Sequence, residues 1–336
     1  CRRPVGCRVV RGIERDGGCE GSHADHGVLV VGDTTVDLYP VGEGSLTSGS
    51  RFEWHVGGTA TNVARWVAGV GCDAALVTNV GSDTAGEMAA SHLDETPVDT
   101  EGVARVDGPS PLTLCVPSDD GDRWDAWVRG SCYGFTPPDD PASLVAPYDW
   151  LHLEGVTLPP TVNRSAVRRL AAAASDDGTR VAFDLNGRTN QWESAAAYRT
   201  ALGEVLPHCD LVFAGTDDLA VAGVDPTPDG LVDRFPADHS GTAFLTDGAS
   251  ATVGLRLRDG AVVERVTASP PSGAVATTAG AGDAFAGAVL AARRRGRSDL
   301  GELAAIGNAA GAAAAATVAP FDPNAATVVT ERLDDP

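Results

Sequence analysis

Short apolar runs alternate with helix-like segments along most of this chain, and this alternation restricts the possible folds most strongly. The run Val28–Gly32 is apolar and ends in glycine, which is typical of a buried parallel strand. Similar runs, each followed by a helix-like segment, recur at residues 74–80, 150–153, 180–185 and 210–213. Strands that alternate with helices predict a mostly parallel central sheet with helices on both faces, a three-layer α/β/α fold.

Two stretches interrupt this alternation. Residues 38–56 and about 106–133 are strand-like and contain no helical pattern. Pairing them gives a small antiparallel sheet inserted into the larger domain, where it could act as a lid that excludes water; the alternative is an edge decoration. Residues 1–26 are expected to be an unstructured leader, because their cysteines and histidines fit no zinc-site spacing. The folded domain is therefore expected over residues 27–336.

The composition restricts the class of partner. The net charge is −21, with 33 Asp, 13 Glu, 25 Arg and no Lys. Such a surface is typical of adaptation to high salt, and it argues against nucleic acid or an anionic membrane as a partner. The seven cysteines form no C-x-x-C pair, which favours buried thiols in a reducing, cytoplasmic compartment. The uncharged run Leu303–Phe321 contains Asn308 and is predicted to be a buried helix rather than a membrane span.

A glycine turn near the C-terminus carries the strongest functional signal. Gly280-Ala281-Gly282-Asp283 precedes a predicted helix that runs to Arg295. A helix N-terminus behind such a turn offers unpaired N–H donors to an anion. A carboxylate beside a phosphate is repelled by it, so Asp283 is interpreted as the base that deprotonates an attacking hydroxyl. The alternative is that Asp283 is only a helix cap.

Known phosphate-binding motifs of other kinds do not fit this turn. A dinucleotide fingerprint would place a third glycine at position 285, which is Phe285, and a Walker A loop requires a lysine that the chain lacks.

Further candidate site residues lie at the ends of several predicted strands or at the start of the helices that follow these strands. They are Asp37 after the first strand, Gly57, Gly58 and Asn62 at a second glycine turn, Asp184, Asn186 and Arg188 after a later strand, and Thr246 and Gly248 after another. Each has an ordinary explanation alone, Asp37 as a turn residue and Asn62 as a helix cap. Because ligands bind beyond the carboxyl ends of strands in open α/β sheets, the set as a whole predicts one cleft.

Three segments of the sequence resemble signatures of the ribokinase-like, phosphofructokinase-B-type carbohydrate kinases. They are Gly57-Gly58 with Asn62, the segment Val80–Gly86, and Gly280–Phe285. The resemblance extends from Val28 to about Ala319. It implies a ribokinase-like fold and transfer of the γ-phosphoryl group of MgATP to a sugar hydroxyl.

The resemblance also implies roles for single residues. Asp37, Gly57, Gly58 and Asn62 would hold the sugar, Asp283 would be the base, and the turn at Gly280, Ala281 and Gly282 would be the anion hole. Thr246, Gly248, Asn308 and Thr278 would line the adenine-nucleotide cleft. The run Asp184, Asn186 and Arg188 is similar to that of fructokinases and 2-keto-3-deoxygluconate kinases, in which the arginine faces the substrate. This implies a ketose or a keto-deoxy sugar acid as substrate, and dimers that form through the lid occur in the family.

The chain departs from the family pattern at two places. Thr277-Thr278 replaces the usual Asp-Thr before the turn, which leaves activation by a monovalent cation open. The string that organises Mg²⁺ appears as Gly215–Asp218, in which Asp218 would act through water. Two other functions therefore remain in view: a sugar- or nucleotide-binding protein that has lost catalysis, and a nucleoside kinase.

Overall fold

The computed structural model describes residues 27–41, 51–117, 123–128, 130, 132–159, 161–188, 191–317, 319 and 321–334. The expected leader at 1–26 and residues 118–122, within the strand-like stretch at about 106–133, lie outside these residues. The strands are β1 (Val28–Val31), β2 (Thr35–Pro40), β3 (Phe52–Gly57), β4 (Ala74–Gly81), β5 (Val103–Val106), β6 (Leu112–Pro117), β7 (Arg123–Val128), β8 (Trp150–Glu154), β9 (Arg180–Asp184), β10 (Leu211–Gly215), β11 (Gly241–Thr246), β12 (Thr252–Arg258) and β13 (Ala261–Ala268). The helices are α1 (Thr59–Gly69), α2 (Thr84–Asp94), α3 (Pro141–Val145), α4 (Thr161–Asp177), α5 (Ala195–Val205), α6 (Thr216–Val221), α7 (Pro228–Val232), α8 (Ala281–Arg294), α9 (Leu300–Ala315) and α10 (Pro323–Asp334).

The large sheet has the strand order β13-β12-β11-β10-β9-β8-β1-β4-β5. All pairings from β5 to β11 are parallel, which confirms the predicted parallel sheet. Strands β11, β12 and β13 then pair antiparallel, a meander that the strand–helix alternation did not predict because no helix separates these strands. Since the carboxyl ends of the parallel strands share one edge, residues that follow β1, β8, β9, β10 and β11 converge there.

The two faces of the sheet carry separate apolar cores. One core packs β-strand side chains against α1, α8, α9 and α10, with Trp66 and Phe285 among its members. The other packs the opposite face against α4 and α5, with Phe183 and Tyr198 among its members. Helices α8 and α9 are rich in alanine and glycine, so their backbones approach their neighbours closely. No helix in the described part of the chain is long and apolar enough to cross a membrane.

The small sheet has the order β3-β2-β6-β7 and uses the strand-like stretches that the sequence singled out. The pairs β2–β3 and β6–β7 are antiparallel. The central pair β2–β6 is parallel, which the sequence did not predict. Along the chain, β3, α1, β4, α2 and β5 lie between these two strands.

Candidate active site

The C-terminal glycine turn forms the start of α8 as the sequence predicts. Gly280 has φ 75° and ψ −1°, a left-handed conformation that glycine adopts without strain, and α8 begins at the next residue. Asp283 is in the first turn and is 8% exposed. The N–H groups of a first helical turn have no partner within the helix. A side chain at Gly282 would meet no atom within 4 Å, so the space in front of this turn is open.

Aromatic packing fixes the position of this turn. The ring of Phe285 lies 6.1 Å from that of Phe213 and 5.5 Å from that of Phe244, edge-on in both pairs. Gly307 of α9 lies against the same ring, where any added side chain would collide with it. These contacts hold the N-terminus of α8 at the carboxyl ends of β10 and β11.

The two glycine turns meet through a direct hydrogen bond. Asn62 Nδ2 donates to Asp283 Oδ2 at 2.7 Å, although the residues are 221 positions apart. Asn62 is 5% exposed, and its Oδ1 has no partner among the described residues. Gly58, with φ 98°, starts the helix that carries Asn62, and an added side chain there would lie 2.6 Å from the carbonyl oxygen of Asp33. The amide predicted to contact a ligand therefore also orients the predicted base.

Asp37 lies in the small sheet rather than directly after β1. It is part of β2, accepts a hydrogen bond from Thr35 Oγ1 at 2.7 Å, and packs its carboxylate against the α-carbon of Gly57. The residue that follows β1 is Asp33, which is 1% exposed and accepts from the Ala60 N–H at 3.3 Å. Burial raises the pKa of Asp33, against the lowering effect of the backbone N–H groups that it accepts. Asp33 was not predicted as a site residue, although it lies at the strand end where the cleft was expected.

The run after β9 reaches across to α1. Asn186 has an unusual φ of 34°, its N–H donates to Asp184 Oδ1 at 3.2 Å, and its Nδ2 donates to Thr59 Oγ1 at 3.2 Å. Burial raises the pKa of Asp184 well above its usual value, and the charges of Asp218 and Asp283 add to this effect. Arg188 is half-buried, and its Nε has no hydrogen-bond partner in the described structure.

Glu154 is a site residue that the sequence analysis missed. It ends β8, stands opposite Asp184 in the parallel register, and is fully buried. Neither carboxylate oxygen has a hydrogen-bond partner among the described residues; Oε1 lies 3.5 Å from His152 Nε2 without hydrogen-bond geometry. Burial raises the pKa of Glu154 well above its usual value, and the charges of Asp33 and Asp283 raise it further.

The neighbouring histidine does not offset this buried acid. Burial lowers the pKa of His152 to about 3, so its imidazole is neutral and supplies no positive charge to Glu154. Glu154 could have been predicted from the sequence, since it directly follows the predicted strand Trp150–Leu153.

The buried acid predicts a pH dependence of stability. Because the pKa of Glu154 is higher in the folded than in the unfolded chain, the folded state binds more protons, and the free energy of unfolding falls as pH rises above about 4.5. Glu154→Gln does not titrate, and we expect its stability to fall less steeply between pH 4.5 and 8. Denaturant unfolding at constant KCl measures this slope. Identical slopes in variant and parent would contradict the prediction.

Asp218 links the segment after β9 to the end of β10 through two hydrogen bonds. Its Oδ1 accepts from the Gly187 N–H at 2.6 Å and its Oδ2 from the Gly215 N–H at 2.7 Å. Burial, and then the charge of Asp217, raise its pKa to about 7. Within the described ranges no three His, Cys, Asp or Glu side chains are arranged to hold a metal ion. Both carboxylate oxygens of Asp218 thus accept hydrogen bonds from backbone N–H groups, and its binding of Mg²⁺ through water stays a prediction.

The residues predicted for the nucleotide side lie around β11, α9 and the start of α8. Thr246 ends β11, and Gly248 follows it with φ 52° and an exposed surface. Asn308 is buried; its Oδ1 accepts from Thr252 Oγ1 at 2.6 Å and its Nδ2 donates to the Ala268 carbonyl at 2.9 Å. Its amide therefore ties α9 to β12 and β13. Thr278 is exposed, and its carbonyl accepts from the Ala281 N–H at 3.4 Å.

Comparison with known proteins identifies the class to which this fold and site belong. Residues 25–324 match the pfkB family of carbohydrate kinases. A fructokinase from Klebsiella pneumoniae is 31% identical over 268 residues, which cover 79% of this chain and 83% of that protein. A 2-dehydro-3-deoxygluconokinase from Dickeya dadantii is 26% identical over 280 residues, covering 81% and 89%.

A solved structure agrees with the fold. The structure of a fructokinase with bound ATP from Xylella fastidiosa superposes with a TM-score of 0.73 at 18% identity, covering 92% of this chain and 99% of the other. The fold is thus the ribokinase-like α/β fold that the sequence resemblance implied. This chain belongs to the pfkB family of carbohydrate kinases, and it is a sugar kinase.

Proposed function

We propose that this kinase phosphorylates a hydroxyl of a neutral ketose, with Asp283 as the base. The observation that carries the proposal is the 2.7 Å hydrogen bond between Asn62 and Asp283. It joins the helix that begins at the Gly57–Gly58 turn to the helix that begins at the anion turn. A hydroxyl bound beside Asn62 would therefore lie next to both the carboxylate that takes its proton and the N–H groups that receive a phosphoryl group.

The residues divide the chemistry in a simple way. ATP supplies the transferring γ-phosphoryl group, and Mg²⁺ entering with it would neutralise part of the phosphate charge. The first-turn N–H groups of Gly282 and Asp283, beside that of Ala281, which donates to the Thr278 carbonyl at 3.4 Å, would stabilise charge that develops on the γ-phosphate. Thr246 and Gly248, at the end of β11, would border the nucleotide, and Thr278 and the α9 edge held by Asn308 would lie beside it.

The charge of the site favours a neutral substrate. Four carboxyl groups lie near one another in this cleft, those of Asp33, Glu154, Asp184 and Asp283, and the negative charges of their neighbours raise the pKa values of Glu154 and Asp184. The positive charge of Arg188 lowers the pKa values of Asp33, Glu154 and Asp184. Carboxyl groups are good partners for hydroxyl donors, whereas a further carboxylate would meet repulsion. Asp37 and the Gly57–Gly58 backbone would take further hydroxyls of such a polyol.

A second candidate, a 2-keto-3-deoxy sugar acid, is favoured by one specific observation. The Nε of Arg188 is buried and has no partner within the described structure. A guanidinium in this state could pair with a sugar-acid carboxylate as well as with a transferring phosphate. The relatives include kinases of both names.

A coupled assay of ADP release separates these functions. The full chain would be assayed at high KCl with fructose, 2-keto-3-deoxygluconate and adenosine. We expect kcat/KM to be highest for the ketose. If kcat/KM is highest for 2-keto-3-deoxygluconate, the protein is a kinase of the sugar acid. If it is highest for adenosine, the protein is a nucleoside kinase. Binding of sugar and nucleotide without turnover of any of them would indicate a protein that has lost catalysis.

Replacing Arg188 tests whether its guanidinium binds the transferring phosphate or a substrate carboxylate. If the guanidinium faces the transferring phosphate, Arg188→Gln should lower kcat about tenfold while the KM for fructose changes little, because one charge-assisted contact is lost in the transition state. Steady-state kinetics on both sugars measure this. A rise confined to the KM for 2-keto-3-deoxygluconate would instead assign Arg188 to a substrate carboxylate. Arg168→Gln, on the exposed surface of α4, controls for the loss of one positive charge.

Two further features of the chain enter the proposal. The excess of carboxylates supports function at high salt, so activity and unfolding should both be followed as KCl is varied. On the outer strand β3 of the small sheet, Phe52 is 41% and Trp54 43% exposed, which supports a homodimer through the lid. Light scattering of the parent and of Trp54→Ser would test the dimer.

A further inference from the structure

A cavity of about 450 Å³ opens at the end of the sheet opposite Asp283. It lies at the amino ends of β8 and β9, beside the C-terminal ends of α4 and α8. Its lining includes Tyr148, Asp149, Trp150, Arg180, Arg293 and Arg294. None of these residues belongs to the active site described above.

Two guanidinium groups in this cavity share one aromatic ring. The Cζ of Arg180 lies 5.6 Å from the ring centre of Trp150, and that of Arg293 lies 5.9 Å from it. Trp150 is 2% exposed, so surrounding residues hold its ring in place beneath the two guanidinium groups. Cation–π contacts of this kind orient the two planar groups while leaving their N–H edges available.

Nearby arginines differ from these two in being paired with a carboxylate. Arg294 Nε is 2.8 Å from Asp149 Oδ2, Arg256 Nε is 2.8 Å from Glu264 Oε2, and Arg297 Nη1 is 2.8 Å from Glu302 Oε1.

Arg180 and Arg293 have no such carboxylate. The Arg180 guanidinium has no hydrogen bond or ion pair with any described residue, and Arg293 donates only to the carbonyl of Arg297 at 3.2 Å. Positive groups without a carboxylate are unexpected in a chain with 46 acidic and 25 basic residues.

The charge balance of the cavity is positive. Three arginines and two aspartates line it, and one of the aspartates, Asp149, is already paired with Arg294. Burial lowers the pKa of Arg293, the charges of Arg180 and Arg256 lower it further, and the charge of Asp210 opposes them, so the guanidinium groups repel one another. A bound anion would relieve that repulsion.

Helix capping does not account for this arrangement. Basic residues at the end of α8 are favourable near its C-terminal carbonyls. Arg180, however, starts β9, and its side chain reaches no carbonyl in the described structure. Capping would explain Arg293 and Arg294 but not the placement of Arg180 over the same ring as Arg293.

We propose that Arg180 and Arg293 form a second anion site, which binds the phosphate group of inorganic phosphate or of a small phosphorylated metabolite. Phosphate suits two planar guanidinium forks, each of which can donate two N–H bonds to it. The cavity is large enough for a sugar phosphate. The site is remote from the anion turn, because α8 separates Asp283 from Arg293 by ten residues, or roughly 15 Å along the helix.

The test uses the full chain with its active site filled by a non-hydrolysable ATP analogue, so that added phosphate cannot report the anion turn. Calorimetric titration and thermal unfolding with potassium phosphate, and in a parallel arm with fructose 6-phosphate, are run against KCl of equal ionic strength. The variant is Arg180→Gln/Arg293→Gln. The matched control is Arg168→Gln/Arg169→Gln, which removes the same charge from the exposed face of α4.

We expect saturable phosphate binding and a rise in Tm that KCl does not reproduce. The variant should bind at least about tenfold more weakly and the control as the parent does. Tighter binding in the fructose 6-phosphate arm would identify the ligand as a phosphorylated metabolite, and equal binding as phosphate itself. Unchanged binding in the variant, or a Tm rise that KCl reproduces, would overturn the site. Should the double variant not fold, Arg180→Gln at an exposed position decides the same question.

Discussion

An Asp283→Asn variant is expected to lose turnover by about two to four orders of magnitude, while it still binds sugar and nucleotide. The carboxylate would be the group that accepts the proton of the attacking hydroxyl, and an amide cannot accept it. The shape of the site should persist, because the side-chain oxygen of asparagine can still accept the hydrogen bond that Asn62 Nδ2 donates at 2.7 Å. The measurement is kcat in the ADP-release assay, with calorimetric titration of sugar and of an ATP analogue.

The control must separate loss of the base from loss of folding. Asp283 is buried, so the Tm of Asp283→Asn has to lie close to that of the parent for the kinetic result to count. Asp176→Asn removes a carboxylate from the exposed surface of α4, away from Asn62, and it should retain most activity. Parent-like kcat in Asp283→Asn would eliminate the proposed base and leave Asp283 as the hydrogen-bond partner of Asn62 between α1 and α8.

The parts of the site that could be predicted from sequence are those set by local backbone chemistry. A glycine turn before an alanine-rich run predicts a helix N-terminus, and α8 begins at that turn with Gly280 in the left-handed conformation. The same reasoning located Gly58 at the start of α1. Strand ends could be predicted because an apolar run that stops at a polar residue marks the edge of the sheet, as at Asp184.

Side-chain partners could not be predicted in this way, since they depend on contacts between distant segments. No sequence pattern pairs Asn62 with Asp283 or predicts that the two carboxylate oxygens of Asp218 accept from the N–H groups of Gly187 and Gly215. Glu154 was overlooked because an acidic residue at a strand end is usually solvated. Only the packed structure shows that it is fully buried.

These partnerships depend on how closely α1 and α8 approach each other. Asn62 and Trp66 are one turn apart on α1, as Asp283 and Gly287 are on α8, so the two pairs form successive layers of one helix interface. An added side chain at Gly287 would lie 2.6 Å from Trp66 Cβ and 3.1 Å from the Val63 carbonyl oxygen. The absence of a side chain at 287 thus sets the helix separation at which Asn62 reaches Asp283.

Gly287→Ala is therefore expected to act on stability and turnover together. Forcing the helices apart should lower the free energy of unfolding by about 1–3 kcal/mol, because Trp66 and the backbone at Val63 are buried and cannot move aside freely. The same displacement lengthens the Asn62–Asp283 contact, so kcat should fall while the KM for nucleotide changes little. Denaturant unfolding and steady-state kinetics on one preparation measure both effects.

The chain offers a matched substitution with the opposite expectation. Gly203 lies in α5, is exposed, and has no atom within 4 Å of an added side chain. Gly203→Ala should raise the free energy of unfolding by about 0.5–1 kcal/mol, because alanine loses less backbone entropy in a helix, and it should leave kcat unchanged. If Gly287→Ala gave the same gain, close packing of α1 on α8 would not be what positions the base.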